Sequence, residues 1–129
     1  MVIVDTSAWV PFLRSPDSPE GQAVGNLLRQ GEVSMVGVVL AEVLQGARTE
    51  GERLRLEGVL RALPYMEATQ DTWARAGEMA FHLRNRGRLI PLTDLLVAAL
   101  AIENDGTIFA LDRHFQTIPG VKLHGAESA

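Results

Sequence analysis

Four carboxylates stand where they can do chemistry together. Asp5 ends the short β-branched run Met1–Val4, and Glu42 interrupts the apolar stretch Val38 to Leu44. Asp94 opens the apolar segment Leu95 to Ile102, and Asp112 follows the run Thr107 to Leu111. Each also has an ordinary structural use. Asp5 suits the N-cap of a helix starting at Thr6 or Ser7, and Asp94, after a capping Thr93, suits the dipole of a first helical turn. Asp112 suits a turn after a strand. Glu42 fits a solvent stripe with Gln45 and Arg48, but a carboxylate walled by apolar residues needs a partner, a proton or a metal. Gathered in one place, like charges raise one another's pKa and call for a counter-ion. The chain has no cysteine and only three histidines, His82, His114 and His124, which are scattered. A carboxylate cluster of that kind points to a hard cation, magnesium or manganese rather than zinc. Such cations share their coordination between carboxylates, waters and substrate phosphate oxygens, so the chemistry expected is phosphodiester hydrolysis.

The elements that must position these acids alternate. Met1–Val4 reads as a buried strand, Ser7 to Leu13 as a helix, and Asp17-Ser18-Pro19-Glu20 as the start of a second helix that ends near Gly31. Val33 to Val36 reads as a strand, and Val38 to Ala47 and Glu52 to Leu63 as helices, the latter stopped by Pro64. Tyr65 to Ala68 follows as a strand, Thr69 to Arg86 as a long helix ending at Gly87, and Thr93 to Asn104 as a very apolar helix closed by Asp105-Gly106. Thr107 to Leu111 and a weak Gly120 to Leu123 complete five strands. Strands alternating with helices predict an α/β fold, a parallel sheet covered on both faces. Ligands in such sheets bind beyond the carboxyl ends of the strands where the strand order reverses, and all four acids can converge there.

Composition narrows the class. A chain of 129 residues, 47% hydrophobic, suits one packed domain spanning 1–129, with no repeat or linker to divide it. The absence of cysteine excludes disulfides and thiolate catalysis and is consistent with a cytoplasmic protein. No signal-like segment is expected, because Asp5 interrupts the apolar start, and no run approaches the ~20 residues of a membrane helix. The formal net charge is -4, from 16 acids and 12 bases, so removing the four named carboxylates would leave the two signs equal. Against that acidic balance, Arg84, Arg86 and Arg88 form a short basic run. They read either as cations favoured at a helix end or as a phosphate clamp beside the cleft. The helix from Thr69 carries Trp73, Ala76, Ala80 and Leu83 on one face with Met79 and Phe81 off it, implying burial on two sides, as in a homodimer.

Four segments, VIVDTS at Val2 to Ser7, LAEVLQGAR at Leu40 to Arg48, LTDLLVAALA at Leu92 to Ala101 and FALDRHFQTIPGVKL at Phe109 to Leu123, together resemble the PIN-domain nucleases, specifically the VapC-like toxins of bacterial toxin–antitoxin pairs. No one segment is specific; the four in this order and at these separations are. The resemblance implies a three-layer α/β/α sandwich with a short, mostly parallel sheet of about five strands. It implies acids at Asp5, Glu42, Asp94 and Asp112 that hold Mg2+ or Mn2+ and cleave RNA, with Asp5 and Asp94 as direct ligands and Glu42 and Asp112 binding directly or through water. It also implies an assisting hydroxyl at Thr6 or Ser7 and a cognate antitoxin whose basic tail enters the acidic cleft. Two positions depart from the family's pattern: Ala110 replaces a frequent hydroxyl, and His114 replaces an acid that some relatives carry. His114 itself reads as structural, though close to the site.

Other readings fit less well. A phosphatase of similar architecture wants a second Asp where this chain has Ser7, and a receiver wants a Lys late in the sheet, whereas Lys122 is the only lysine and follows the last well-marked strand. Ser7 lies in no nucleophile-elbow pattern. A catalytically silent PIN-like module binding RNA or a partner is the rival from another class, and the retention of four acids argues against it.

Overall fold

The opening β-branched run becomes the middle of a sheet. In a computed structural model, described over residues 1–125, β1 (Val2–Val4) pairs with β2 (Val33–Val36) on one side and β4 (Thr107–Phe109) on the other, while β3 (Tyr65–Met66) and β5 (Lys122–Leu123) form the edges. All four pairings are parallel, with Val2 opposite Val33 and Thr107, and Ile3 opposite Ser34 and Ile108. Every residue of β1 and β2 is buried, the mark of strands covered on both faces. The covering comes from α1 (Thr6–Arg14), α2 (Pro19–Arg29), α3 (Gly37–Gln45), α4 (Glu50–Arg61), α5 (Gln70–Asn85) and α6 (Leu92–Glu103), with a 3-10 turn at Arg113–Thr117 before β5. The strand order β3-β2-β1-β4-β5 means that the chain winds outward from β1 through β2 and β3, then returns to β4 on the opposite side of β1. The reversal lies between β1 and β4, so a crevice opens beyond their carboxyl ends.

Helix boundaries follow local chemistry, with informative departures. The second helix is capped by Ser18, whose hydroxyl accepts from Gly21 N at 3.0 Å, and not by Asp17. Pro19 at the first helical position gives up an N–H that would have had no partner anyway. Thr69, expected as the first residue of the long helix, is instead the N-cap of α5, closed into a reciprocal box with Thr72, whose hydroxyl also donates to Glu103 of α6 at 2.9 Å. The buried stripe of α5 is Thr72, Ala76 and Leu83. Trp73, expected on that stripe, points outward at 51% exposure, as does Phe81. The apolar surplus of this helix is therefore a surface of Trp73 and Phe81, larger than the sequence pattern implied.

The most apolar helix, α6, is buried continuously from Leu95 to Ala101 and packs on both α5 and the sheet. It starts one residue before the expected Thr93, after Pro91, with no side-chain cap. Its far end is fully closed: Asp105 takes a left-handed conformation (φ 52°), Gly106 N donates to Ala101 O at 2.8 Å, and Asp105 N donates to Ile102 O at 3.2 Å. Asp105 then pairs with Lys122 of β5 at 2.7 Å.

Candidate active site

Three of the four expected acids are placed by the start of a helical segment, and the fourth, Glu42, lies within α3. Asp5 follows β1 and caps α1, accepting from Ser7 N at 3.1 Å, and it is buried at 6% exposure. Asp112 follows β4 and caps the 3-10 turn, accepting from His114 N at 2.9 Å. Capping does not exhaust a carboxylate, whose oxygens each carry more than one acceptor site: Asp112 Oδ1, which accepts the capping bond, is also the oxygen nearest the His114 ring. Asp94 is different. It lies in the first turn of α6 but makes no capping bond, and its Oδ2 faces the His114 ring Nδ1 at 2.8 Å. The same Nδ1 lies 3.2 Å from Asp112 Oδ1.

The hydroxyls beside Asp5 tie these pieces together. Thr6 donates to Glu42 Oε1 at 2.7 Å, linking α1 to α3. Ser7 Oγ accepts from Leu111 N at 2.9 Å and from Asp112 N at 3.1 Å, fixing the loop after β4 onto the start of α1. Both hydroxyls are thus bonded to residues of the site itself. Asp94, Asp112 and His114 offer ligand atoms that all lie within 4.8 Å of one another, and Asp5 is near enough for its charge to act on Asp94. Glu42 stands outside that tight group, and its link to the site is the bond from Thr6, the residue that follows Asp5.

The electrostatics record the crowding. Burial pushes the Asp94 carboxyl above its ordinary value, the Asp5 and Asp112 charges push it further, and the His114 hydrogen bond pulls it part of the way back. His114 is held above the usual imidazole value, first by its bond to Asp94 and then by the Asp112, Asp94 and Asp5 charges. Three carboxylates and an imidazole, with no sulfur, form a donor set that fits a hard or borderline divalent cation, and the excess negative charge is what such a cation offsets.

His114 is the residue that sequence reasoning undervalued. Its bond to Asp94 spans 20 positions and appears only when the turn after β4 folds back over the start of α6. The available signal was its position two residues after Asp112, where some relatives place an acid. The three arginines do not converge into one clamp. Arg84 and Arg88 line a cavity of about 350 Å³ with Phe81 and Leu89, whereas Arg86 lines a different one with His82 and Pro119. Arg88 donates to Thr117 O at 3.4 Å, on the turn that carries His114.

A parallel sheet with this switch point and an acidic edge beyond β1 and β4 defines a class. The family model for the PIN domain matches residues 2–121, and the chain belongs to that family. Within it, the chain is similar to ribonuclease VapC11 of Mycobacterium tuberculosis, 30% identical over 122 residues that cover 92% of this chain and 91% of the relative. Among solved structures it resembles VapBC2 from Rickettsia felis bound to a DNA fragment from their promoter, with TM-score 0.79, 21% identity, and coverage of 96% of this chain and 98% of that one. It also resembles VapC20 of Mycobacterium tuberculosis, described as a sarcin-ricin loop cleaving toxin, with TM-score 0.74, 19% identity, and coverage of 95% of this chain and 98% of that one.

Proposed function

We propose that this chain is a magnesium- or manganese-dependent endoribonuclease, the toxin of a toxin–antitoxin pair, acting through Asp5, Asp94 and Asp112 with Glu42 in support. The observation that carries the reading is the crowding of Asp94. A half-buried carboxylate with two further carboxylates close by is costly unless a cation joins them. The similarity to proteins named ribonucleases, over 92% of the chain, supports RNA as the substrate.

A divalent cation held there would supply Lewis acidity, activating a water and offsetting charge on the phosphoryl oxygens. The chain's own residues do the positioning. Asp5 and Asp112 each accept a backbone N–H at their own helix starts, which holds both carboxylates in place before anything binds. Thr6 holds the Glu42 carboxylate at the rim. Arg84 and Arg88, exposed and without an ion pair among the described residues, offer cationic contacts for an RNA backbone approaching an otherwise negative edge.

An antitoxin partner is supported by the similarity to toxin–antitoxin complexes. It is supported also by an apolar groove of about 460 Å³ between α1 and α4, where the indole N–H of Trp9 is buried without an acceptor. The exposed Trp73 and Phe81 of α5 support a homodimer as the form in solution. No helix among the described residues is long and apolar enough to cross a membrane, which, with the absence of cysteine, is consistent with a cytoplasmic protein acting as one nuclease unit over residues 1–129. The test is direct: purified chain is given RNA with magnesium, with manganese and with chelator, alongside Asp5→Asn and Asp94→Asn. Metal-dependent cleavage that both substitutions abolish is expected; unchanged cleavage in both variants would overturn the assignment.

A further inference from the structure

The turn after β4 puts a nitrogen where the acidic edge otherwise offers only oxygen. His114 Nδ1 lies 2.8 Å from Asp94 Oδ2 and 3.2 Å from Asp112 Oδ1, and the three donor atoms form one compact group. Donors on adjacent corners of an octahedron with bonds of ~2.1 Å are about 3.0 Å apart. The two measured separations bracket that value. The ring is held from its own backbone as well: His114 N donates to Asp112 Oδ1, and Thr117 Oγ1 donates to His114 O at 2.9 Å. Its imidazole is therefore a fixed neighbour of both carboxylates and not a side chain passing through.

We propose that His114 Nδ1 is a direct ligand to the divalent cation, alongside Asp94 and Asp112, and that this nitrogen tunes the site towards manganese over magnesium. The proposal rests on the metal-dependent reading of the site. Magnesium is hard and takes oxygen almost exclusively, whereas manganese, though the weakest binder among the first-row transition metals, accepts an imidazole nitrogen more readily than magnesium does. An acid at this position would give an all-oxygen set; the imidazole makes a mixed one and also lowers the total negative charge. A purely structural histidine bonded to two acids makes the opposite prediction, because it competes with the cation, and its removal would leave affinity unchanged or raise it for both metals.

The experiment measures binding rather than turnover. Calorimetric titrations of manganese and magnesium into chelator-treated protein are compared for wild type, His114→Gln and His114→Asp. Pulsed electron paramagnetic resonance on the manganese-loaded wild type reports whether a nitrogen couples to the metal. Expected are nitrogen coupling in wild type that disappears in both variants, a loss of manganese affinity of about tenfold or more in His114→Gln, and a change in magnesium affinity several-fold smaller. His114→Asp should reverse the preference towards magnesium. Binding of manganese without nitrogen coupling, or variants that bind both metals as well as wild type does, would overturn the role of His114 and leave the metal site standing. No binding of either metal to wild type would overturn both. The wild-type spectrum decides the ligand question even where a variant fails to fold.

Discussion

The two ends of α6 are built on opposite terms. At Asn104–Gly106 nearly everything is satisfied: the last carbonyls accept from Asp105 N and Gly106 N, a left-handed residue ends the helix, and Lys122 neutralises Asp105. At Pro91–Asp94 no side chain caps the helix, and an acid is half-buried against two others. Tertiary packing along Leu95 to Ala101 makes the difference tolerable, because that buried stretch holds the helix whatever its first turn costs. One helix end closes its hydrogen bonds and pairs its acid with a lysine; the other leaves its first turn uncapped and brings its acid against a histidine and two further carboxylates.

The largest effect expected from breaking this contrast is on cleavage. Asp94→Asn should lower metal-dependent RNA cleavage by more than about a hundredfold, since even residues that merely support metal ligands cost ten- to a hundredfold. Asp105→Gly, at the other end, should leave the rate as it is. Measured side by side under the same metal and salt conditions, equal losses in the two variants would erase the distinction.

Melting sharpens the comparison next. At a concentration of metal near a hundred times its dissociation constant, wild type should gain about 2.7 kcal/mol. Asp94→Asn should gain only a small part of that, and Asp105→Gly the full amount. Differential scanning calorimetry with and without chelator reads all three. A full metal response in Asp94→Asn would place the cation elsewhere.

Smaller effects of opposite sign are expected in chelator. Asp105→Val should cost about 1–2 kcal/mol, because a β-branched residue is forced to φ 52°. Asp94→Asn should be neutral or stabilising, since it removes a charge that its neighbours repel. Denaturant unfolding at fixed pH measures both, and a clear destabilisation by Asp94→Asn would make that residue an ordinary part of the helix start.

The smallest effect is a pH slope. His114 has its folded pKa raised above 6.5, so the stability it contributes is fully present below 6.5 and is lost as pH rises through the folded value. In chelator, stability should therefore decline with pH across that window in wild type and decline less in His114→Gln. The raised Asp94 value acts with the same sign but in the acid range. An identical slope in the two proteins would mean that His114 senses neither acid.

Much of this contrast was legible from residues alone, and what was not has physical causes. Val33–Val36 and the apolar run of α6 are read correctly because continuous burial leaves an unbroken apolar signature. The place of Asp5 is legible because an acid directly after a strand is visible without knowing the partner, whereas β4 ends at Phe109, two residues earlier than its apolar run, and leaves Asp112 on a loop. The outward turn of Trp73 was not legible, since the 3.6-residue period admits several neighbouring stripes and only packing against α6 selects Thr72, Ala76 and Leu83. Nor was Ser18 distinguishable from Asp17, both being good caps one residue apart. The bonds Thr6–Glu42 and His114–Asp94 join distant segments, and no local pattern encodes them.

The Ser7 hydroxyl that accepts from Leu111 N and Asp112 N bridges 104 and 105 positions of sequence. During synthesis, that distance becomes time. At ~5–20 residues per second, the first of these residues waits on the order of five to twenty seconds for the second to be made. Until then β1 has no β4 beside it and Asp5 has no Asp112. Contacts of such separation also form late in folding, because the long loop must be closed before they return anything. A growing or prematurely ended chain therefore carries Asp5 and Glu42 without the loop that Ser7 later pins, and the acidic edge comes together only when synthesis is nearly done.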